Sequence, residues 1–496
     1  MMLRRHPLPV LLVVGLVSQL VYLAYTLLFP LTTYGYAPRP YDMEQIARNA
    51  HWMGAAWMIG LVVLYVLFGV AVWVVDASRW TRRVILIFGM IFGLTLIWLY
   101  PVTATDLFQY VMRARIGVVY GANPMAVTPE HFPNDPLLPF VGEWKDIVSP
   151  YGPAWELLAG AVARLGFTGA VSGALAYKVV AWLAYLACLA LLAWGTRSAE
   201  ANGNRRRALL FFAWNPLVLL QGVGNGHNDL VMLAWLLLAV IVWQRRWMSE
   251  RGGTWLIAVA CISVAVLVKA AAGMMAILLL VAMLRAEAGW RRRALVLAGS
   301  AALGIGLVLL AYLPFWPPWR SIGGVLDEMA NRYTYTVAAT LRMGLDELQF
   351  PPNVTWDVPR AVGDMLSAGM LAWCVIQVWR RRLDLASAGF LAYFAYLIGG
   401  SSYRIWYPLW LVPLAALNLT PAVRWRTLLL CFTSEFSIVV FYYIWRWYWP
   451  DASWLEIHLL TIPWQFGVPL LLPIWLRRRA APAANAASSN DRSYAV

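Results

Sequence analysis

Apolar runs of about twenty residues recur along the whole chain, and short knots of arginine sit between them. A helix rises about 1.5 Å per residue, so roughly 20 such residues cross the hydrocarbon core of a bilayer. Runs of this kind stand at 8–29, 52–75, 84–101, 174–195, 208–224, 229–243, 294–313, 361–379, 385–400, 405–419, 427–448 and 457–476. Inside lipid no water satisfies backbone N–H and C=O groups, so each run is forced into a helix. The predicted fold class is therefore all-α, a polytopic membrane protein.

The arginines set its topology. They cluster at Arg4/Arg5, Arg79/Arg82/Arg83, Arg197 with Arg205–Arg207, Arg245/Arg246/Arg251, Arg285 with Arg291–Arg293, Arg380–Arg382, Arg424/Arg426 and Arg477–Arg479. If every cluster is cytoplasmic, an even number of spans separates each consecutive pair. Parity makes the short stretch 154–165, with Glu156 and Arg164, an interfacial or re-entrant piece. It also splits the run between Arg251 and Arg285 into two short helices with Lys269 at their outer turn. The count becomes about fourteen spans with both termini cytoplasmic.

Composition agrees. Of 496 residues 61% are hydrophobic and 13% charged, which excludes a soluble globule of this length. The net charge of +15 raises nucleic-acid binding, but the bases lie in knots between spans, so nucleic acid is excluded as a partner. Cys188, Cys261, Cys374 and Cys431 fall singly inside apolar runs, so neither a disulfide framework nor a cysteine metal site is expected. The first run lacks a cleavage pattern and is expected to be an uncleaved span. Residues 1–480 are expected to form one transmembrane domain, followed by a disordered cytoplasmic tail, 481–496.

With this parity the long loops, 102–153 and 314–360, both lie outside and carry short helices, together with the tips 222–229, 401–406 and 449–456. Polar, potentially reactive residues gather on that face. Asp106 stands just beyond the third run and opens an amphipathic stretch that places Gln109, Tyr110 and Arg113 on its face. An Asp at a helix start also serves as an N-cap, and an interfacial Arg also snorkels. The loop continues through the turn Gly121-Ala-Asn123-Pro and ends Ser149-Pro-Tyr151-Gly-Pro153, a composition expected to give a rigid, shaped loop.

Asn225, His227, Asn228 and Asp229 crowd the turn between two apolar runs, where polar groups need partners, water or a ligand. Two of them, His227 and Asp229, are too few for a metal site, and helix capping is the alternative. Lys269, Arg332 and Arg404 are cations on the same face, the last beside Trp406. They suit a lipid phosphate, or equally an interfacial belt.

Taken in order, Tyr-Pro-x4-Asp106-x3-Tyr110-x2-Arg113, Gly-x-Asn123-Pro, Ser-Pro-Tyr151-Gly-Pro, Trp-Asn-Pro with Gly-Asn225-Gly-His227-Asn228-Asp229, and a later Trp406-Tyr-Pro resemble the polytopic GT-C glycosyltransferases. Within them the chain is similar to the polyprenol-phosphomannose-dependent alpha-1,6-mannosyltransferases of actinobacterial type, from Trp98 to Pro413. The resemblance implies a bacterial plasma-membrane enzyme, a polyprenyl-phosphate sugar as donor, a glycan or glycolipid as acceptor, and Asp106 as catalytic base. Two spans precede the Asp-bearing one where many members have one. No Gly-rich nucleotide loop is visible, in keeping with a lipid-phosphate donor. The sequence identifies no cofactor, and a divalent cation at the phosphate stays open. The rival classes are a transporter or flippase, which would place polar groups near the bilayer midplane in paired halves, and a ligase or polymerase of lipid-linked glycans.

Overall fold

The computed structural model describes residues 7–75, 79–197, 204–245, 254–317, 319, 321–323 and 333–474. Among them every regular element is helical, apart from two isolated β-bridges, Pro30 with Leu99 and Thr334 with Ser402. The chain is an all-α multi-pass membrane protein, and a helix stands at each of the fourteen predicted segments. Six are long and apolar enough to cross a membrane unbroken: Pro7–Leu28, His51–Val74, Ala170–Gly195, Trp290–Phe315, Pro352–Trp379 and Trp454–Ile474. The remainder are shorter, more polar or bent.

The breaks have local causes. The run 208–224 bends by 54° between Arg205–Ala213 and Val218–Gly224. Pro216 has no N–H to continue the ladder, and the Asn215 side chain accepts the Leu217 N–H instead. Beyond it the chain winds as a π-helical turn, Val218–Gly224. Thr254–Val268 and Gly273–Ala286 are separate helices joined at Lys269, as parity requires. The run 405–419 yields only a 3₁₀ turn, Tyr407–Trp410, and a short helix, Leu411–Leu417. The helix expected from 361 begins at Pro352, because a proline fits the first turn and the polar residues after it tolerate helix. The second long loop is shorter than expected by that amount. The stretch at 154–165 is the helix Pro153–Arg164, which packs on Asp106–Val118 and on Thr254–Val268.

Loops from distant parts of the chain meet at one end of this bundle. Tyr100 N–H donates to Phe29 O, Met43 N–H to Val102 O, and Tyr403 N–H to Thr334 O. Tyr448 O–H bonds to His51, and Lys269 pairs with Asp229. Arginines gather at the other end, where Arg245 lies over Trp194 and within the field of Arg197 and Arg205. There Arg285, Arg381 and Arg382 line a second cleft. One apolar core from Leu11 to Phe466 joins the two ends.

Candidate functional site

At the end where the polar tips meet, a cavity of about 400 Å³ opens between the first long loop and the last third of the chain. Thr103, Asp106 and Trp144 line it from the first loop, and Arg404, Trp406 and Arg446 face them. The polypeptide reaches Asp106 from a tight corner. The helix of the third run, Arg79–Leu96, ends five residues before Pro101, and Thr105 takes the capping position of the helix Asp106–Val118. Asp106 is thus the first helical residue, where an acid complements the positive end of the helix dipole.

Its surroundings are a small polar constellation. Gln109 Nε2 donates to Asp106 Oδ1 at 3.1 Å, one helical turn on. His227 Nδ1 lies 3.9 Å from Asp106 Oδ2, and the imidazole stacks on Trp406 at 4.1 Å between centroids. Burial pushes the His227 pKa down to about 3, against the pull of Asp229, so the ring is neutral. Tyr110 O–H accepts the Asn228 N–H at 3.5 Å. Burial first, then Asp106 and Asp229, hold that phenol above its usual value. Gln109 Oε1, His227 Nε2, both amide atoms of Asn228 and Trp406 Nε1 are buried and find no hydrogen-bond partner among the described residues. Buried polar atoms are nearly always paired; of these residues Trp406 lines the cavity, while Gln109 and His227 lie beside Asp106 behind its wall.

The other predicted residues have defined places. Asp229 accepts Lys269 at 2.8 Å and Trp410 Nε1 at 2.5 Å, and Lys269 also lies over the Tyr407 and Trp410 rings. Arg113 is fully buried and donates to Ile147 O at 3.0 Å, which ties the loop's far arm to the Asp106 helix. Tyr151 packs edge-on against Tyr110. Asn123 donates to Phe315 O and Ser321 and accepts Met125 N–H, so it joins the two long loops. Asn225 is buried and donates to Thr103 and Gln221. Arg404 lies over the Trp144 ring at the cavity wall. Arg332 lies outside the described residues.

Three cavity residues went unread in the sequence. Arg446 falls within an apolar run, and only its tryptophan neighbours at that run's outer end mark it. Asp42 stands in a short loop after the first span, and Thr103 looks like an ordinary turn residue. Among the described residues no three His, Cys, Asp or Glu side chains gather as metal ligands would.

Fold and site together define an all-α, multi-pass membrane protein whose polar loops close over one cavity at one end. The chain belongs to the alpha-(1->6)-mannopyranosyltransferase family, whose N-terminal-domain model matches residues 13–286. It is 33% identical over 187 residues to alpha-(1->6)-mannopyranosyltransferase A of Mycobacterium tuberculosis, covering 36% of this chain and 34% of that protein. With alpha-(1->6)-mannopyranosyltransferase B of Corynebacterium glutamicum it shares 24% identity over 162 residues, 31% of this chain and 26% of that one. The matched stretch thus spans about a third of the relatives' length or less. The GT-C resemblance read from the motifs is to this family.

Proposed function

We propose that this protein transfers mannose from a polyprenyl-phosphate donor to a hydroxyl of a glycan or glycolipid acceptor on the extracytoplasmic face, inverting the anomeric centre. The sugar rests on the names of the relatives, which are mannopyranosyltransferases. The mechanism rests chiefly on one observation: Asp106 lines a cavity that Arg404 and Arg446 also line.

In this reading the acceptor oxygen attacks the anomeric carbon while its proton passes to the Asp106 carboxylate. The bond from that carbon to the phosphate oxygen breaks, and polyprenyl phosphate leaves with the electron pair. Arg404 and Arg446 stabilise the charge that develops on it. Gln109 holds one Asp106 oxygen at 3.1 Å and leaves the other toward His227. Because His227 is neutral, no imidazolium competes for the carboxylate. The unpartnered Trp406 Nε1, on a residue of the cavity wall, supplies a donor for a sugar hydroxyl. Lys269, paired with Asp229, sets the wall behind it, so the phosphate falls to the arginines. A divalent cation would take most of its ligands from the phosphate, with Asp42 and Asp106 as the carboxylates at hand.

The test is Asp106→Asn in proteoliposomes supplied with polyprenyl-phosphate mannose and an acceptor. Transfer should fall about a thousandfold, as loss of a general base does, while yield and melting temperature hold. Undiminished transfer by that variant would end the base assignment. A panel of other lipid-phosphate sugars in the same assay tests the choice of mannose.

A further inference from the structure

Thr103 lies on the cavity wall three residues before Asp106, nearly buried, and its hydroxyl is bound in an unusual way. Thr103 Oγ1 accepts Asn225 Nδ2 at 2.7 Å and Gln221 Nε2 at 3.3 Å. A hydroxyl has two lone pairs and one hydrogen. With both lone pairs taken by amide donors, its hydrogen is left over, and none of the hydrogen bonds among the described residues uses it.

The orientation of those amides is set from a distance. Glu435, buried in the core, accepts Tyr65 O–H at 2.8 Å on one oxygen and Gln221 Nε2 at 3.2 Å on the other. Two donors, Tyr65 O–H and Gln221 Nε2, thus face the two Glu435 oxygens, and Gln221 turns its nitrogen toward the carboxyl group. Gln221 Oε1 then faces Asn225 and accepts its Nδ2 at 2.7 Å. That fixes Asn225 with its nitrogen toward Thr103. In this arrangement the amide nitrogens point in one consistent sense along the chain from Glu435 to Thr103. An ionisable side chain within a membrane segment is costly and mostly serves function, which favours a role for Glu435 beyond packing.

Building on the transferase reading above, we infer that Thr103 is an obligate hydrogen-bond donor to an oxygen of the donor's mannosyl-phosphate head group, and that Glu435, through Gln221 and Asn225, is the positioning residue that fixes its polarity. The partner oxygen belongs either to a sugar hydroxyl or to the phosphate, and both are acceptors a fixed O–H recognises.

The experiment compares wild type, Thr103→Ser and Thr103→Val in proteoliposomes with polyprenyl-phosphate mannose. Thr103→Ser should stay within about twofold, and Thr103→Val should raise the donor KM about tenfold with kcat little changed, as loss of one ground-state hydrogen bond does. Mannosyl donors deoxygenated at one position each then locate the oxygen: on the analogue lacking it, wild type and Thr103→Val become equal. If instead polyprenyl phosphate alone inhibits Thr103→Val about tenfold more weakly than wild type, the oxygen is the phosphate's. A Thr103→Val KM equal to wild type, or a gap unchanged on every analogue and absent for polyprenyl phosphate, overturns the inference. Should Thr103→Val fail to fold, Thr103→Ala leaves room for a water to accept both amides and replaces it in the same comparison. Glu435→Leu should reproduce the KM shift and add nothing to Thr103→Val, and additive shifts would remove Glu435 from the role. Absence of transfer by wild type itself, with polyprenyl phosphate still bound more weakly by Thr103→Val, would count against the transferase reading and leave Thr103 as a phosphate donor.

Discussion

Neutral histidine beside a carboxylate is a specific electrostatic state, and it has a consequence for pH. Burial holds the His227 pKa at about 3, whereas an unfolded chain presents histidine near 6.5. Between those values the unfolded state binds a proton that the folded state refuses. Stability from this group is therefore complete above about pH 6.5 and is lost as pH falls toward 3. The melting temperature of the detergent-solubilised protein should drop steadily from about pH 6.5 to about pH 4.5, and His227→Gln should flatten that slope. Parallel slopes for the two proteins would show that His227 is not the group responsible. The polar crowding at 225–229 was legible in the sequence because such groups stand out between apolar runs. Their division of labour was not. Asp229 is taken by Lys269, forty positions away, and Asn225 by Thr103, and only the packing of separate hairpins reveals either pairing. Arg446 was hidden for the opposite reason: one charge among aromatics does not interrupt an apolar run.

At the scale of elements, the first long loop is held as a rigid body. Arg115 pairs with buried Asp135 at 2.8 Å, and Tyr120 donates to the same carboxylate. Ser149 donates to Glu156, whose carboxyl pKa burial pushes upward, against Ser149 and Arg113. The loop's end docks on a membrane helix through Gly152, whose N–H donates to Val268 O. A Cβ there would stand 1.9 Å from the Leu267 carbonyl oxygen, so only glycine permits the approach. Gly152→Ala should cost about 1–3 kcal/mol as an overpacked contact does. It should also speed proteolysis within 102–153, since the loop loses its seat beside Lys269. An unchanged melting temperature and cleavage rate would mean that the loop is held elsewhere. Gly363, whose Cβ would stand 1.8 Å from the Gly399 carbonyl oxygen, binds the hairpin of Pro352–Trp379 and Leu385–Gly399 by the same close approach. The sequence announced a shaped loop through its Pro and Gly density. Which glycine bears a backbone contact depends on the neighbour, and the neighbour is remote.

For the whole molecule, parity from arginine alone assigned every polar tip to one side, and in the fold both long loops and the tips 401–406 and 449–456 line one cavity, with His227 of the tip 222–229 beside Asp106. The rule rests on the strong preference that a charged guanidinium and a long apolar run each have for where they sit, independent of neighbours. Helix lengths were less legible, because bends at Pro216 and the short turn at Pro408 depend on packing that shelters exposed backbone groups. The remaining question is the side of the membrane on which the cavity opens. Asn134 lies exposed at the rim of the first long loop, and the native cysteines Cys188, Cys261, Cys374 and Cys431 are all buried. An Asn134→Cys protein therefore presents one reactive thiol. A membrane-impermeant maleimide added to intact cells should label it, and labelling should not increase when the cells are opened. Labelling that requires opened cells would turn the whole map over and place Asp106, Arg404 and Arg446 in the cytoplasm. A lipid-linked donor would then have to be used on the leaflet where nucleotide sugars are already at hand.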